Sequence, residues 1–317
     1  MPKRPADQNT EQADLFGEIV RTSLPATVRR VIEASAEIMD GPPDRLAFLH
    51  SVLCQVGMPR RKTEERMFER TSGGAVLRIE AGALFNGNKL IDQSLHYGAK
   101  PRLIMIHIGS EAVRTSKREI EIGNSTHEFM QTLGIDTNGR GYSMIKKQIF
   151  ALAACRLTLG MAYGSRARTV NTQPIEQFDA WLHPTGQQLV MWPGSLVLSE
   201  PFFNTMLEYA VPLDRRALAA LKHSALALDV YSWLAHRLYR INKSEGVKVS
   251  WANLREQFGQ EYRCAKDFKK EFRQVLRQVL AVYPTARIED APGGILLRES
   301  PPPIEQATTS LTGTVSK

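Results

Sequence analysis

The sequence predicts a helix-rich α+β fold, and three observations support this prediction. Amphipathic segments with a period of 3.6 residues alternate with short β-like runs along the 317 residues. One order of elements (helix, short strand, helix, turn, helix, hairpin) occurs twice after residue 97. The most regular helix, Cys264 to Leu280, carries cations opposite an apolar stripe. Together they predict two tandem winged-helix (helix-turn-helix) domains behind a small N-terminal helical and β extension.

Composition narrows the class of protein further. No apolar run approaches the roughly 20 residues of a membrane span, and the N-terminus lacks the apolar segment of a secretory signal. Cys54, Cys155 and Cys264 lie far apart, so they predict neither a disulfide framework nor a CxxC metal pair. We therefore expect a cytoplasmic protein without membrane contact. The formal net charge of +8 suits a polyanionic partner.

Residues 23–97 are predicted to form N-terminal helices and a hairpin, after a polar segment, 1–22, that is predicted to be disordered. A helix is predicted from Leu24 to Met39, and Asp44 is expected to cap a second helix that carries apolar residues from Leu46 to Val56. Met58 to Arg70 is predicted to be a solvated connector, with phosphate contact by its five basic residues as the alternative. Gly73 to Leu84 is predicted to be a strand or hairpin.

Residues 98–199 are predicted to form the first winged-helix domain. Pro101 is well placed in a helix that runs on to Thr115, and Ser125 with Glu128 predicts a capped helix start. The further predicted elements are a strand Arg118 to Ile122, helices Thr126 to Leu133 and Tyr142 to Ala154, and strands Arg156 to Tyr163, Arg168 to Leu182 and Gln188 to Leu198. The hairpin after Ala154 is expected to be the wing.

Residues 200–300 are predicted to form the second winged-helix domain, followed by a disordered tail, 301–317. Ser250 and Gly259 are expected to cap the two ends of one helix. The predicted elements are one or two helices within Ala217 to Arg240, a strand Val247 to Ser250, helices Trp251 to Phe258 and Cys264 to Leu280, and a hairpin formed by Ala286 to Asp290 and Ile295 to Arg298.

The helix from Cys264 to Leu280 is the strongest candidate for nucleic-acid binding. Its apolar stripe and its cations lie on opposite sides, as a helix in a DNA major groove requires. Between Arg237 and Leu280 there are eleven Lys and Arg against five Asp and Glu, so the positive charge is concentrated there. A solvated surface helix is the alternative interpretation. The predicted DNA-binding residues are Lys266, Lys269, Lys270, Arg273, Gln274 and Arg277.

Further candidates come from the predicted first recognition helix and from the two hairpins. Each of them could instead be an ordinary solvated surface residue. The first recognition helix contributes Arg140, Tyr142, Lys146 and Lys147; the hairpins contribute Arg166, Arg168, Arg287 and Arg298.

The sequence contains no complete motif for catalysis or cofactor binding. GALFNGNKL, Gly82 to Leu90, is a near miss to a phosphate loop, because Asn88 precedes the lysine and no Ser or Thr follows it. The seven histidines form no HxH pair, and neither HExxH nor GxSxG occurs. We therefore expect no enzymatic activity, no metal and no cofactor.

Three motifs resemble the plasmid-encoded RepA replication initiators: FLHSVLCQVGMPRR at Phe48–Arg61, the run Leu95–Ile135, and GRGYSMIKKQIFALAACRL at Gly139–Leu157. The resemblance covers roughly Phe48 to Leu198. It implies binding to double-stranded DNA at repeated sites of a plasmid origin, recruitment of host replication proteins such as the host initiator and helicase, and repression of its own promoter. Among initiators of this general kind, a homodimer represses and a monomer initiates.

Two other functions are left open by the residues themselves. A winged-helix transcriptional regulator without a replication role would share the DNA chemistry. An enzyme or a partner-binding protein would use the region before Pro101.

Overall fold

The computed structural model describes residues 24–178, 192 and 194–304. The disorder predicted for residues 1–22 and for most of the tail lies outside the described residues. So do the predicted strand ends at Leu182 and Gln188. Within the described ranges, no helix is long and apolar enough to cross a membrane.

Three stretches of the chain contain the following elements. The N-terminal stretch has α1 (Ala26–Asp40), β1 (Leu46–His50), α2 (Ser51–Gln55), β2 (Met67–Ser72), β3 (Ala75–Glu80), β4 (Ala83–Phe85) and β5 (Leu90–Asp92). The middle stretch has α3 (Ala99–Thr115), β6 (Glu119–Glu121), α4 (Thr126–Thr132), α5 (Gly139–Ala154), β7 (Arg156–Tyr163), β8 (Arg166–Thr172), β9 (Ile175–Gln177) and β10 (Ser195–Leu198). The C-terminal stretch has α6 (Glu200–Glu208), β11 (Ala210–Asp214), α7 (Arg215–Leu221), α8 (Ala225–Arg237) with a 3-10 turn Leu238–Arg240, β12 (Val247–Ser250), α9 (Trp251–Phe258), α10 (Ala265–Ala281), β13 (Ile288–Ala291) and β14 (Gly294–Leu297).

The second predicted N-terminal helix is wrong. Its residues form β1 and then the short helix α2, which begins after His50. β1 pairs antiparallel with β11, so that Leu46 lies opposite Asp214 and His50 opposite Ala210. Local periodicity cannot indicate a strand partner that lies more than 150 residues away, so these residues were predicted to be helical.

The solvated connector predicted from Met58 to Arg70 is also wrong. Met67–Ser72 is β2, which forms a hairpin with β3 around Gly73, a residue with φ of 56°. The side chains of Arg60 and Arg70 are 7% and 1% exposed and both form ion pairs with Glu261. These cations are buried because their carboxylate partner is supplied by the loop after α9.

Two groups of elements share one strand order. The first comprises α3, β6, α4, α5, β9 and β10, with the sheet order β6-β10-β9. The second comprises α8, β12, α9, α10, β13 and β14, with the sheet order β12-β14-β13. In each sheet the strand that comes first in the sequence pairs with the strand that comes last, which lies in the middle of the sheet. We call these the first and second units.

The hairpin β7–β8, predicted as the wing of the first unit, belongs to another sheet. It extends the N-terminal hairpin into a four-stranded sheet of order β2-β3-β7-β8. Leu77 lies opposite Leu159 and Ile79 opposite Leu157, and all four side chains are buried. Because this pairing with β3 buries an apolar face, it is favoured over a pairing of the hairpin with β6. β6 pairs with β10 instead.

The two units share a buried junction. α6, β11 and α7 connect them, and of these the sequence predicted only α7. α8 of the second unit is buried around its whole circumference and packs against α2, α3 and α10. Arg102 on α3 and Asp229 on α8 form a buried ion pair across this junction, with Nε 2.6 Å from Oδ1. The predicted domain boundaries stay predictions.

Candidate nucleic-acid interface

The basic helix α10 is held by its apolar stripe. Phe268, Phe272, Val275, Leu276 and Val279 are buried, as their spacing predicted. Phe272 packs against Phe258 of α9 and against Phe268, with ring centroids 5.8 and 5.5 Å apart. The N-cap is Cys264, whose Sγ accepts a hydrogen bond from the amide of Asp267. This packing fixes which side of α10 faces solvent.

The solvent side of α10 carries the predicted cations. Lys269 is half-buried, and the others are exposed: Lys266, Lys270, Arg273, Gln274 and Arg277. No ion pair joins Lys266, Lys270 or Arg277 to any residue that the structure describes. We call Lys266, Lys270 and Arg277 the free ridge, because their charges are available to a polyanion.

Arg273 and Lys269 are held by neighbouring groups. Arg273 Nη2 donates to Asp290 Oδ1 at 2.8 Å, and its guanidinium lies 5.3 Å from the centre of the Trp251 ring. Lys269 Nζ lies 5.0 Å from the same ring centre. The indole thus fixes both cations by cation–π contact. Asp290 partly neutralises Arg273, a contact that the sequence did not reveal.

The hairpin β13–β14 stands beside α10. A cleft of about 320 Å³ separates them and is lined by Arg273, Arg277, Glu289 and Asp290. Arg298 Nε donates to Glu289 Oε1 at 2.5 Å, and this bond raises the pKa of Arg298. Arg287 is exposed at the base of the hairpin. Of the two predicted hairpin cations, only Arg287 has no carboxylate partner among the residues described.

In the first unit, α5 carries the corresponding candidates. Asn138 caps α5 by accepting a hydrogen bond from the amide of Gly141 at 2.8 Å. Arg140 and Lys147 are exposed, whereas Tyr142 and Lys146 are half-buried. The Tyr142 hydroxyl bonds to His127 Nδ1, and the two rings stack with centroids 6.1 Å apart. The sequence did not single out His127, which forms an aromatic pair with Tyr142.

Arg168 lies apart from these residues. It belongs to β8, and Nη1 donates to Glu208 at 2.9 Å and to the Tyr209 hydroxyl at 2.7 Å. Its predicted position on the wing of the first unit is therefore wrong, although its contact with DNA stays a prediction. Arg166 is exposed at the tip of the same hairpin. The connection between β9 and β10 lies mostly outside the described residues.

The part of the chain that the structure describes contains no cluster of metal-binding side chains. There, no group of three or more His, Cys, Asp or Glu side chains is placed to hold an ion. Cys54 and Cys155 are buried, and burial raises the pKa of both thiols.

The family of the chain follows from residues 95–253, which match the family model described as plasmid encoded RepA protein. The chain belongs to this family. The match covers the whole first unit and ends within α9, before α10 begins. The assignment of the basic helix α10 therefore rests on its own geometry. No curated protein matches the sequence.

Two solved structures are similar in fold. A selenomethionine derivative of RctB domains 2 and 3 matches with a TM-score of 0.51 at 10% identity, covering 79% of this chain and 99% of that chain. A crystal structure of RctB domains 2–3 matches with a TM-score of 0.47 at 11% identity, covering 78% and 94% respectively. The match with the TM-score of 0.51 shows that a similar α+β fold occurs in another protein.

Proposed function

We propose that this member of the plasmid RepA family is a sequence-specific DNA-binding replication initiator. It binds the plasmid origin and recruits host replication proteins, and it represses its own promoter. The observation that carries the proposal is the free ridge of α10, three exposed cations opposite a buried stripe. Family membership supports the role in replication initiation.

The two units are proposed to be winged-helix domains. Each contains the order helix, strand, helix, helix, strand, strand, and in each sheet the first strand pairs with the last. In such a domain the third helix enters the major groove, a position that α5 and α10 occupy. The proposed domains are residues 98–199 and 200–300.

The proposed mechanism is binding and remodelling, without catalysis or a cofactor. Lys266 and Lys270 neutralise phosphates and release counterions, which makes affinity strongly dependent on salt. Arg277 and Gln274 lie on the same side of α10 and are suited to base edges, since arginine pairs with guanine and glutamine with adenine. Arg273 first has to exchange Asp290 for DNA.

The first unit is proposed to contact a neighbouring stretch of the same duplex. Arg140 and Lys147 on α5 supply charge there. Bending DNA costs energy, and contacts from two units on successive groove faces offset that cost. Repeated origin sites and a homodimeric repressor form are part of the proposal.

The test is binding of the purified chain to DNA upstream of its own gene, compared with scrambled DNA over a series of salt concentrations. We expect specific binding that weakens steeply with salt. Lys266→Ala with Arg277→Ala should weaken it by at least about tenfold, since each contact is worth roughly 1–3 kcal/mol. Lys89→Ala, an exposed cation between β4 and β5, is the control. Equal binding to both DNAs would refute the proposal.

A second assay separates an initiator from a transcriptional regulator. A plasmid whose only replication functions are this gene and its upstream DNA should replicate in the host. The double variant at Lys266 and Arg277 should abolish replication. Specific binding without replication would identify a regulator instead.

A further inference from the structure

A group of basic side chains meets where the two units and α1 come together. Arg30 comes from α1, Lys100 from α3, Arg140 from α5, and Lys222 with His223 from the turn after α7. Lys100, Arg140, Lys222 and His223 line one cleft of about 400 Å³. We call these five residues the seam cluster. Only Arg140 among them was predicted from the sequence.

The cations of the seam cluster have no carboxylate partner. Arg30 bonds to His223 Nε2, and Lys222 Nζ donates to the carbonyl oxygen of Gly134. Neither of them, nor Lys100 or Arg140, forms an ion pair with a described residue. Arg168, Arg273 and Arg298 elsewhere each hold a Glu or Asp within 4 Å. The cluster thus concentrates positive charge that forms no ion pair, with one carboxylate, Asp136, lining the same cleft.

Burial and the nearby positive charges lower the pKa values of two residues of the cluster. Burial, and then the charges of Arg30, Lys222 and Lys100, lower the pKa of His223, while Asp136 acts in the opposite direction. Burial and then Arg30 also lower the pKa of Lys222. An anion between these groups would offset the repulsion and favour their charged forms.

The seam cluster lies next to both basic helices, α5 and α10. Arg140, at the beginning of α5, lines the 400 Å³ cleft. His223 also lines a second cleft of about 510 Å³, whose other wall includes Asp267, Lys270, Glu271 and Gln274 of α10. The seam cluster therefore lies on the path from one proposed recognition helix to the other.

We propose that Arg30, Lys222 and His223 form a pocket for one phosphate of the DNA backbone, between the contacts made by α5 and α10. The pocket rests on the proposed DNA-binding function and adds to it a sequence-independent contact. Guanidinium, ammonium and imidazole groups are all donors to phosphate oxygens. A phosphate held at the seam fixes how the two units are placed along one duplex.

The test measures affinity for the upstream duplex and for a scrambled duplex over a salt series, using the full chain. Arg30→Gln and Lys222→Gln should each weaken binding to both duplexes about equally, by roughly five- to tenfold. Each should also lower the slope of log affinity against log salt by about 1. Lys89→Gln is the matched control, with the same charge change away from the cluster. Lys222→Arg keeps the charge and should keep the affinity.

The outcomes separate this pocket from the proposed function. Unchanged affinity and slope in both Gln variants, with specific binding intact in the wild type, would overturn the pocket alone. Absence of specific binding in the wild type would overturn the proposed function. Inorganic phosphate provides the third arm: if Lys222→Gln loses phosphate binding in calorimetry but keeps DNA affinity, the pocket takes free phosphate and the DNA contact is refuted.

Protonation supplies an independent readout. A phosphate that takes over the guanidinium of Arg30 frees His223 Nε2 to bind a proton and favours the imidazolium. Asp136, Asp267 and Glu271 also face this imidazolium. DNA binding therefore takes up a proton and should strengthen as pH falls from 8 to 6. The gain stays below tenfold per pH unit, the limit for one proton. His223→Gln should remove this gain, and an identical pH profile in the variant would count against the pocket.

Discussion

At the scale of single residues, the ion pair of Arg102 and Asp229 has the largest consequence for stability. Both residues are buried, 2% and 6% exposed. Arg102 donates to both carboxylate oxygens of Asp229, at 2.6 and 2.7 Å. Its remaining N–H groups bond to the carbonyl oxygens of Met58, Pro59 and Gly98. Removal of one partner would leave a buried charge without compensation.

Asp229→Asn should therefore lower the free energy of unfolding by about 3–5 kcal/mol. Urea denaturation followed by circular dichroism measures this change. Glu69→Gln is the control, because Glu69 pairs with Arg78 on the surface, where a pair contributes about 1 kcal/mol or less. Similar losses in the two variants would contradict the role assigned to the buried pair.

His96 should make stability depend on pH. It is fully buried, and burial followed by the charge of Arg102 lowers its pKa to about 3. The unfolded chain, with a pKa of about 6.5, binds the proton first as pH falls. The folded state therefore loses stability between pH 6.5 and about 3, by about 2 kcal/mol at pH 5 from this residue alone.

His96→Phe should flatten this dependence, because no proton can bind there. Urea denaturation at pH 7.5 and at pH 5 gives the comparison with the wild type. The wild-type loss also includes His50 and His236, whose pKa values burial lowers to about 4 and about 3. Leu95→Ile controls for altered packing and should change the free energy of unfolding by the same amount at pH 7.5 and at pH 5. A slope as steep as that of the wild type in His96→Phe would refute the assignment.

At the scale of elements, helices were predictable where their signals are local. The bounds of α9 and β12 were predicted from Ser250, Gly259 and the apolar spacing, and the stripe of α10 was predicted residue by residue. β1 was missed because its strand partner β11 lies far along the chain, and the burial of Arg70 on β2 was missed because its carboxylate partner Glu261 does. Local periodicity holds no information about such partners.

The candidate site was predictable to a similar extent. The exposed side of α10 follows from the helical period, so the free ridge was identified from the sequence. The partners of Arg273 and Arg298, which are Asp290 and Glu289, were not. The seam cluster was also missed, since its members come from four separate elements. A charge pattern along one helix is visible in sequence, whereas charges that meet through tertiary folding are not.

The contact between α10 and the hairpin yields a prediction about affinity. Asp290→Asn removes the carboxylate that holds Arg273, so the guanidinium no longer has to exchange a charged partner for DNA. The affinity for DNA should rise by about threefold to tenfold at low salt, and less at high salt because of screening. Glu80→Gln on β3 removes the same charge from a distant surface and is the control. A loss of affinity in Asp290→Asn would instead show that this carboxylate positions Arg273 productively.

At the scale of the whole molecule, the two units are expected to unfold together. Besides Arg102 and Asp229, the ion pair of Arg60 and Glu261 joins the N-terminal region to the second unit, with side chains 7% and 22% exposed. The buried core runs without interruption from Leu49 of β1 through α8 to Leu297 of β14. Each unit therefore completes the other's apolar burial.

Differential scanning calorimetry should accordingly show one transition, with the calorimetric and van't Hoff enthalpies about equal. A variant with Trp181→Phe and Trp192→Phe keeps only Trp233 and Trp251, both in the second unit. Its tryptophan fluorescence should change at the same urea concentration as its far-UV circular dichroism, which reports on the whole chain. Glu261→Gln should lower the transition temperature without splitting the transition, because it weakens a contact between regions that still share one core. Two separate transitions in the wild type would show that the two units unfold independently. The junction between them would then be a weak contact and not a shared core.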